Sequence, residues 1–212
     1  MEKGEQKEPV HVVAMIERVV RTATDAVKRG RPGLFTALVV SSDGRVVADG
    51  RNEVLSSCDP TAHAEVTAIR SACRRMRAIN LGGMALYVNA EPCPMCLSAA
   101  YWAGIRTIYY ACPKEVVLDA AGFDDARLYD ELRLDASERT LIRTVHVECE
   151  SIDPRAAFDA WRERESVRPT DASDVSPSAR NTKHRSDSAS GRRDRFCRWR
   201  FWRRNRLVGG KE

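Results

Sequence analysis

The sequence predicts a three-layer α/β/α sandwich around a mixed five-stranded sheet, followed by a disordered basic C-terminal tail. Segments with apolar residues at helical spacing alternate with short β-rich runs along the chain. Such alternation favours helices on both faces of a sheet. Two of the β-rich runs are separated only by "SSDG", which is typical of a hairpin turn, so the sheet is expected to be mixed and not wholly parallel.

The first half of the chain is predicted to form a helix, a hairpin and a second helix. Apolar residues recur at helical spacing from about His11 to Arg29 and stop before Gly30. The hairpin strands are "LFTALVV" and "RVVADG". The second helix is expected to begin near Thr61 and to carry "AEVTAIRSACRRM".

The second half supplies three more strands and three more helical segments. The strands are "MALYVNA", "IRTIYYA" and "IRTVHVEC". The helical segments are "CPMCLSAAYWAG", which ends at Gly104, then "AGFDDARLYDELRL" and "DPRAAFDAWRERE". In the last of these, Asp153 is expected to cap the helix and Pro154 to occupy its first position.

The composition divides the chain into a domain over residues 1–166 and a tail over residues 167–212. The tail carries thirteen Lys/Arg and five Asp/Glu, whereas the preceding part is weakly acidic. Because the tail is rich in Ser, Asp, Pro and Arg and poor in large apolar residues, we expect it to be disordered. Its end, "RRDRFCRWRFWRRNRL", suits contact with nucleic acid or an anionic membrane surface, although an extension without a binding role is the interpretation we favour.

The remaining composition argues for a cytoplasmic protein with reduced thiols. No apolar run approaches the roughly 20 residues that a membrane span requires, and "MEKGEQKEPV" lacks the apolar stretch of an export signal. Seven cysteines at irregular spacing do not indicate a disulfide framework. A close pair of cysteines is therefore a candidate for metal binding or redox chemistry.

One such pair is Cys93 and Cys96 in "EPCPMC". At the start of a helix this spacing places both sulfurs on one face, and the positive end of the helix dipole favours their thiolate forms. Two thiolates suit Zn²⁺, and His63 in "DPTAHAEVTAIR" is the best third ligand. Three protein ligands leave a fourth position for water, as in catalytic zinc sites; a redox pair or a structural zinc site are the alternatives.

Glu65 follows His63 by two residues and is placed to reach water at such a site without binding the metal. The pattern H-x-E followed by P-C-x-x-C is the signature of zinc-dependent nucleobase and nucleoside deaminases. It predicts attack by zinc-bound hydroxide on the carbon that carries an exocyclic amine, with Glu65 as the proton shuttle.

The motifs "DPTAHAEVTAIR", "EPCPMCLSAAYWAGI", "AGFDDARLYDEL" and "FDAWRERE" resemble those of bacterial guanine deaminases, in the cytidine deaminase-like superfamily. The resemblance covers about residues 11–166. It implies a cytidine deaminase-like fold, one zinc ion per subunit, and conversion of guanine and water to xanthine and ammonia. It also implies a homodimer whose C-terminal segments are exchanged between subunits.

The resemblance also implies the substrate contacts. Asn52 would hydrogen-bond the purine, Phe35 would stack on it, and Trp102 would help to close the pocket. The family's acidic contact to the substrate amine has two rival candidates here, Glu115 and Asp119, because "CPKEVVLDA" contains an inserted residue. The family's Pro-Phe-Gly-Ala is "LFTA" in this chain, and no aromatic residue stands at the family's C-terminal capping position.

Three other interpretations stay open at this point. The substrate could be a guanosine-like nucleoside, or an aminated triazine or pyrimidine. A tRNA adenosine deaminase shares the zinc motifs and would give the basic tail a use, although the acidic body lacks a basic RNA-docking surface. A nucleic-acid-binding protein with a vestigial zinc site is disfavoured because His63, Glu65, Cys93 and Cys96 are all present.

Overall fold

The computed structural model describes residues 10–148, 151 and 153–166. The chain divides after Leu141 into two compact units, so that the described residues 10–141 belong to the first and the described residues from Ile142 onward to the second. The tail predicted over residues 167–212 lies outside the described residues. Among the described residues, no helix combines the length and the apolar character that crossing a membrane would need.

The first unit contains six helices and four strands in its described residues. Their bounds are α1 Val10–Lys28, β1 Thr36–Val40, β2 Val46–Arg51, α2 Val54–Ser57, α3 Ala64–Met76, β3 Ala85–Ala90, α4 Pro94–Trp102, β4 Thr107–Cys112, α5 Lys114–Ala121 and α6 Ala126–Arg133. The longer predicted helices and the first four predicted strands are confirmed. Helices α2 and α5 were not predicted, because four and eight residues are too few for a clear helical period.

The four strands form one mixed sheet in the order β2-β1-β3-β4. Strand β1 pairs antiparallel with β2 and with β3, and β3 pairs parallel with β4. The hairpin predicted at "SSDG" is therefore confirmed, and the parallel pair β3–β4 is joined by α4, as a crossover requires.

Helices cover both faces of this sheet and produce the three predicted layers. On one face, α1 packs against β1 and β3 through Val12, Val19, Leu38, Val40 and Tyr87. On the other face, α3 and α4 cover the alternate residues of the same strands. This larger core contains Ala37, Val39, Leu86, Val88, Ala68, Ile69, Ala72 and Ala100. Strand β1 is buried along its whole length because it contributes to both cores.

The fifth predicted strand, "IRTVHVEC", is not formed in its described residues. Residues 142–148 have no regular secondary structure, and Cys149 lies outside the described residues. Val145 and Val147 are 60% and 76% exposed. A strand needs a neighbouring strand for its backbone groups, and the described part of the second unit contains none. The alternating apolar pattern alone did not reveal that this partner is missing.

The second unit contains the last helix, α7, at Ala156–Ser166. The Asp153 carboxylate accepts a hydrogen bond from the Arg155 backbone N–H at 2.8 Å. The predicted cap at Asp153 with Pro154 as the first helical residue is wrong, because the helix begins at Ala156. Phe158 and Trp161 on this helix are more than half exposed.

Gly50 on β2 allows α3 to lie very close to the sheet. A Cβ atom at this position would overlap the backbone carbonyl oxygen of Ala64 and the backbone nitrogen of Ala68, in the first turns of α3. Neither group can move without displacing the helix, because backbone atoms of a packed helix have no rotamer to change.

We predict that Gly50→Ala lowers stability by about 3 kcal/mol, the upper range for overpacking a core. For a chain of this size, that corresponds to a fall in Tm of roughly 6–12 °C. Thermal unfolding followed by circular dichroism measures it. Gly44→Ala is the control, because its Cβ would meet no atom within 4 Å and only its φ of 81° opposes the change. Equal falls in Tm for the two variants would contradict this account.

Candidate active site

The starts of α3 and α4 bring together the three predicted metal ligands. His63 immediately precedes α3, and Cys93 immediately precedes α4, both with extended backbone conformations. Pro94 begins α4, and Cys96 lies in its first turn. Because both helices cover the same face of the sheet, their N-terminal ends converge and place these side chains near positive helix-dipole ends.

The distances between these side chains fit a tetrahedral zinc site. The Nδ1 atom of His63 lies 3.6 Å from the Sγ atom of Cys93 and 3.6 Å from the Sγ atom of Cys96. Zinc bonds of about 2.3 Å to sulfur and about 2.0–2.1 Å to nitrogen, at the tetrahedral angle, separate the two donor atoms by roughly 3.6 Å. All three donor atoms lie within 4.8 Å of one another. The ligand set and its spacing therefore fit zinc, with a fourth position available to water.

The two cysteines and His63 influence one another's protonation. A hydrogen bond from the Cys96 thiol, helped by His63, lowers the pKa of Cys93 to about 4. The same pairing and burial raise the pKa of Cys96, so that one thiolate forms readily. The hydrogen bond to Cys93 also raises the pKa of His63.

Glu65 lies in the first turn of α3, two residues after His63. Its side chain is only 8% exposed, and burial is the main reason that its pKa is raised. A carboxyl group with a raised pKa next to a metal site is suited to accepting and returning protons near neutral pH.

A cavity of about 250 Å³ opens over these residues. Its lining comes from the β1–β2 edge, the start of α3, the loop before α4 and the segment containing α5 and the start of α6. The lining residues are Phe35, Asn52, His63, Glu65, Ala90, Glu91, Cys93, Lys114, Val117, Phe123, Asp124 and Asp125. Two of the metal ligands, His63 and Cys93, and Glu65 thus lie in the wall of a cavity large enough to take a small ligand, and Cys96 is buried behind it.

Two of the predicted substrate contacts line this cavity. The Asn52 side-chain oxygen accepts a hydrogen bond from the Val54 backbone N–H at 3.2 Å, which fixes its amide at the cavity wall. The Phe35 ring lies edge-on to the Phe123 ring, with centroids 5.2 Å apart. The structure therefore brings Asn52 and Phe35 to the same cavity as His63, Cys93 and Glu65.

The other three predicted contacts do not line the cavity. Trp102 ends α4, is 49% exposed and lies edge-on to Tyr101. Glu115 and Asp119 are exposed residues of α5. Helix α5 explains both positions, because residues three or four apart share one face of a helix: Lys114 and Val117 face the cavity, and Glu115 and Asp119 do not.

Four charged residues at the cavity were missed from the sequence: Glu91, Lys114, Asp124 and Asp125. The segment "AGFDD" was noted only as a resemblance. Its two adjacent aspartates, directly after an aromatic residue and before a helix, were the signal that could have indicated a binding role.

Two hydrogen bonds, one from α5 and one from α6, hold these helices against the loop that carries Cys93. The Tyr129 hydroxyl of α6 donates a hydrogen bond to the Pro92 carbonyl oxygen at 2.9 Å. The Lys114 backbone N–H donates to the Glu91 carboxylate at 3.1 Å, and the Lys114 ammonium lies 4.6 Å from the centre of the Tyr129 ring. Burial raises the pKa of Tyr129 to about 12, so its hydroxyl remains a hydrogen-bond donor.

Residues 12–112 match the family model of the cytidine and deoxycytidylate deaminase zinc-binding region. This match spans α1 to β4 and includes every metal ligand described above.

Known proteins are similar over a larger part of the chain. The guanine deaminase of Bacillus subtilis (strain 168) is 44% identical over 147 residues, which are 69% of this chain and 91% of that protein. An X-ray structure of guanine deaminase from the same species superposes with a TM-score of 0.65 at 42% identity, over 71% of this chain and 93% of that one. A tRNA-specific adenosine deaminase of Agrobacterium fabrum is 40% identical over 95 residues, which are 45% of this chain and 61% of that protein.

Proposed function

Because the chain belongs to the guanine deaminase family of cytidine deaminase-like zinc enzymes, we propose that it converts guanine and water to xanthine and ammonia. It is a zinc-dependent aminohydrolase. Guanine is chosen as the substrate because the chain is 44% identical to a guanine deaminase over 91% of that protein's length. The zinc motifs alone would fit any member of the superfamily.

His63, Cys93 and Cys96 would hold the zinc ion. When bound, zinc supplies Lewis acidity that makes water nucleophilic near neutral pH. The two cysteines supply thiolate ligands at the start of a helix, and the histidine supplies Nδ1. Because His63 and Cys93 line the cavity, we expect the reacting carbon of the base to lie beside them.

Glu65 is the proton carrier of the proposed reaction. Its carboxylate takes a proton from the attacking water and delivers it to a ring nitrogen next to C2 of guanine. It then takes the second proton from the hydroxyl group that water has added to C2 and gives it to the amine, so that the C2–N bond breaks, C2=O forms and ammonia leaves. Its burial supports this role, because a carboxyl group with a raised pKa can exchange protons with weakly basic groups.

Phe35 and Asn52 would bind the base. The Phe35 ring offers an apolar face for stacking on a flat purine. The Asn52 amide offers both a donor and an acceptor to the base edge, although its oxygen also accepts a hydrogen bond from Val54. Trp102 stays a predicted contact, and it lies outside the cavity of the described residues.

The alternative substrates are a guanosine-like nucleoside, an aminated triazine or pyrimidine, and adenosine in tRNA. The last is supported by the 40% identity to a tRNA-specific adenosine deaminase. That similarity is confined to 45% of this chain, a share that the zinc-binding region alone would account for.

An ammonia-release assay on a substrate panel tests the proposal. The purified protein is incubated with guanine, guanosine, cytosine, adenosine and an anticodon-loop RNA. We expect ammonia from guanine, with little or none from the other compounds. Inosine in the RNA, without ammonia from any free base, would favour the tRNA enzyme and contradict the proposal.

We further propose that the enzyme is a homodimer with exchanged C-terminal segments. The surface of α4 and β4 supports association, because Leu97, Tyr101, Trp102 and Tyr110 are each more than 40% exposed there. The exposed Val145 and Val147 support exchange of their segment, which pairs with no strand in the described part of its own unit.

The oligomeric state is measured by size-exclusion chromatography with light scattering. We expect twice the chain mass of 23.8 kDa for the unchanged protein. Tyr101→Glu and Val147→Asp should weaken the dimer, since each places a charge in an apolar contact. Leu55→Glu is the control, because Leu55 is 92% exposed on α2. A monomer mass for the unchanged protein would contradict the proposal.

The domain boundary and the tail remain predictions. A chain that ends at Ser166 should keep its deaminase activity if residues 1–166 are the catalytic domain. Nucleic-acid contact by the tail would appear as RNA binding that weakens with salt and is lost in that shorter chain. We also propose a cytoplasmic location, because the described cysteines form no disulfide bonds and a reducing compartment preserves thiols for zinc.

A further inference from the structure

We propose that Asn89 is a positioning residue, which fixes the Phe35 ring at the cavity wall so that the ring can stack on the bound base. This inference rests on the proposed function and deepens it. Phe35 lies directly before β1, so its position depends on contacts other than the regular pairing of the strands. The sequence did not indicate this role for Asn89.

The Asn89 side chain bonds to the backbone on both sides of Phe35. Its carbonyl oxygen accepts a hydrogen bond from the Thr36 backbone N–H at 2.8 Å, and its amide group donates to the Leu34 backbone oxygen at 2.9 Å. Asparagine is suited to this role because one side chain supplies both an acceptor and a donor. Both peptide planes that meet at Phe35 are therefore held, which restricts its φ and ψ and hence the direction of its ring.

These bonds continue the connection between β1 and β3 beyond the end of their regular pairing. The pairing reaches Ala37 opposite Val88. In the same register Thr36 stands opposite Asn89, and there the acceptor for the Thr36 N–H is the Asn89 side chain. A side chain reaches further than a backbone carbonyl group, so the two chains can separate at this point and still be joined.

The catalytic cavity lies where these chains separate. Phe35, directly before β1, and Ala90, the last residue of β3, both line it. Cys93 follows Asn89 by four residues and lines it too. Asn89 thus joins the chain that carries the Phe35 ring to the strand that leads to a zinc ligand, and it sets the position of the ring relative to the metal site.

Other contacts hold the same segment toward α1 and β2. The Thr36 hydroxyl donates a hydrogen bond to the Val19 carbonyl oxygen of α1 at 2.8 Å. The Phe35 carbonyl oxygen accepts one from the Asn52 backbone N–H, directly after β2, at 3.1 Å. The two residues proposed to bind the base are therefore linked to each other, and Asn89 ties this pair to β3.

Loss of the Asn89 side chain should weaken substrate binding more than it slows the chemical step. A stacking ring contacts the base in the ground state and in the transition state alike, and loss of such uniform binding raises KM. We expect Asn89→Ala to raise KM for guanine about tenfold, within the range for two hydrogen bonds. The kcat value and the zinc content should change little.

The test is a double-mutant cycle of Asn89→Ala and Phe35→Leu, with kcat and KM measured by ammonia release from guanine. Phe35→Leu removes the ring but keeps an apolar side chain, and it should raise KM roughly 10- to 100-fold, as loss of a stacking contact does. In the Phe35→Leu protein, Asn89→Ala should add almost nothing. Equal factors with and without the ring would show that Asn89 acts independently of Phe35 and would overturn the proposal.

Asn80→Ala is the matched control, because the Asn80 side chain also accepts a backbone hydrogen bond, from Gly82 at 2.8 Å, but is exposed and does not line the cavity. It should leave KM unchanged. Asn89→Asp is a second variant, since it keeps the size of the side chain and the acceptor for Thr36, but an ionised carboxylate cannot donate to Leu34. An unchanged KM in both Asn89 variants would overturn the proposal.

A spectroscopic measurement separates failure of this inference from failure of the proposed function, whose sign is that the unchanged protein releases no ammonia from guanine. The five phenylalanines are labelled as para-fluorophenylalanine, and the Phe35 signal is identified by its loss in Phe35→Leu. In Asn89→Ala this ¹⁹F signal should shift or broaden, because the ring is no longer held in one position, whereas Asn80→Ala should leave it unchanged. An unchanged Phe35 signal in Asn89→Ala would overturn the proposal, whichever substrate the enzyme uses.

Discussion

Glu65→Gln is expected to abolish nearly all guanine turnover while the protein keeps its zinc. Glutamine has the size of glutamate and can fill the same buried space, but it cannot carry a proton. Loss of general acid–base catalysis typically costs about 10²- to 10⁴-fold, and we expect kcat to fall by that amount. Ammonia release gives kcat, and elemental analysis gives the zinc content, which should stay at one ion per chain.

Two comparisons make the Glu65 result specific. Glu17→Gln changes an exposed glutamate on α1 whose partner is Arg21, and it should leave kcat unchanged. KM of Glu65→Gln should change much less than kcat, since the carboxylate acts mainly in the transition state. Turnover within tenfold of the unchanged protein, with zinc bound, would contradict the proton-carrying role.

Cys96→Ser is expected to remove zinc and, with it, activity. Cys96 is fully buried in the first turn of α4, and its thiolate is one of three protein ligands. A serine hydroxyl is a much weaker zinc ligand than a thiolate. Replacing a residue that only hydrogen-bonds to a zinc ligand lowers zinc affinity roughly 10- to 100-fold. Replacing a ligand itself should lower it by more. Zinc content after dialysis against a chelator measures the effect.

The control for this substitution is Cys58→Ser. Cys58 is exposed at the end of α2, so its replacement should leave both zinc content and turnover unchanged. Folding of Cys96→Ser is checked by its circular dichroism spectrum. Stoichiometric zinc in a folded Cys96→Ser protein would show that His63 and Cys93 suffice, and would contradict the assignment of three ligands.

The sequence predicted the metal site because its signals are local. A histidine and a C-x-x-C pair each precede a helix, and helix starts are recognisable from neighbouring residues. The distance of 3.6 Å between His63 Nδ1 and the sulfur of either cysteine confirms that two segments thirty residues apart converge. The layers and the first four strands were predictable for the same reason, since each has its own apolar period.

The missed features depend on contacts that no local pattern records. The fifth predicted strand is not formed in its described residues. A strand requires a neighbouring strand, and the pattern of "IRTVHVEC" does not indicate whether one is present. Glu115 and Asp119 were chosen from a segment interpreted as irregular. Both are exposed on α5, whereas Asp124 and Asp125 line the cavity, so Glu115 and Asp119 stay predicted contacts that lie outside it. The choice among nearby acids thus depends on tertiary packing.

The central claim is hydrolysis of guanine at C2 by a zinc-dependent enzyme. It is tested most directly by incubating the purified protein with guanine in water enriched in ¹⁸O and identifying the products by mass spectrometry. We predict xanthine that carries one ¹⁸O atom from water, with one ammonia released for each xanthine formed. Guanine recovered unchanged from protein that holds stoichiometric zinc, or xanthine without the label, would contradict the account.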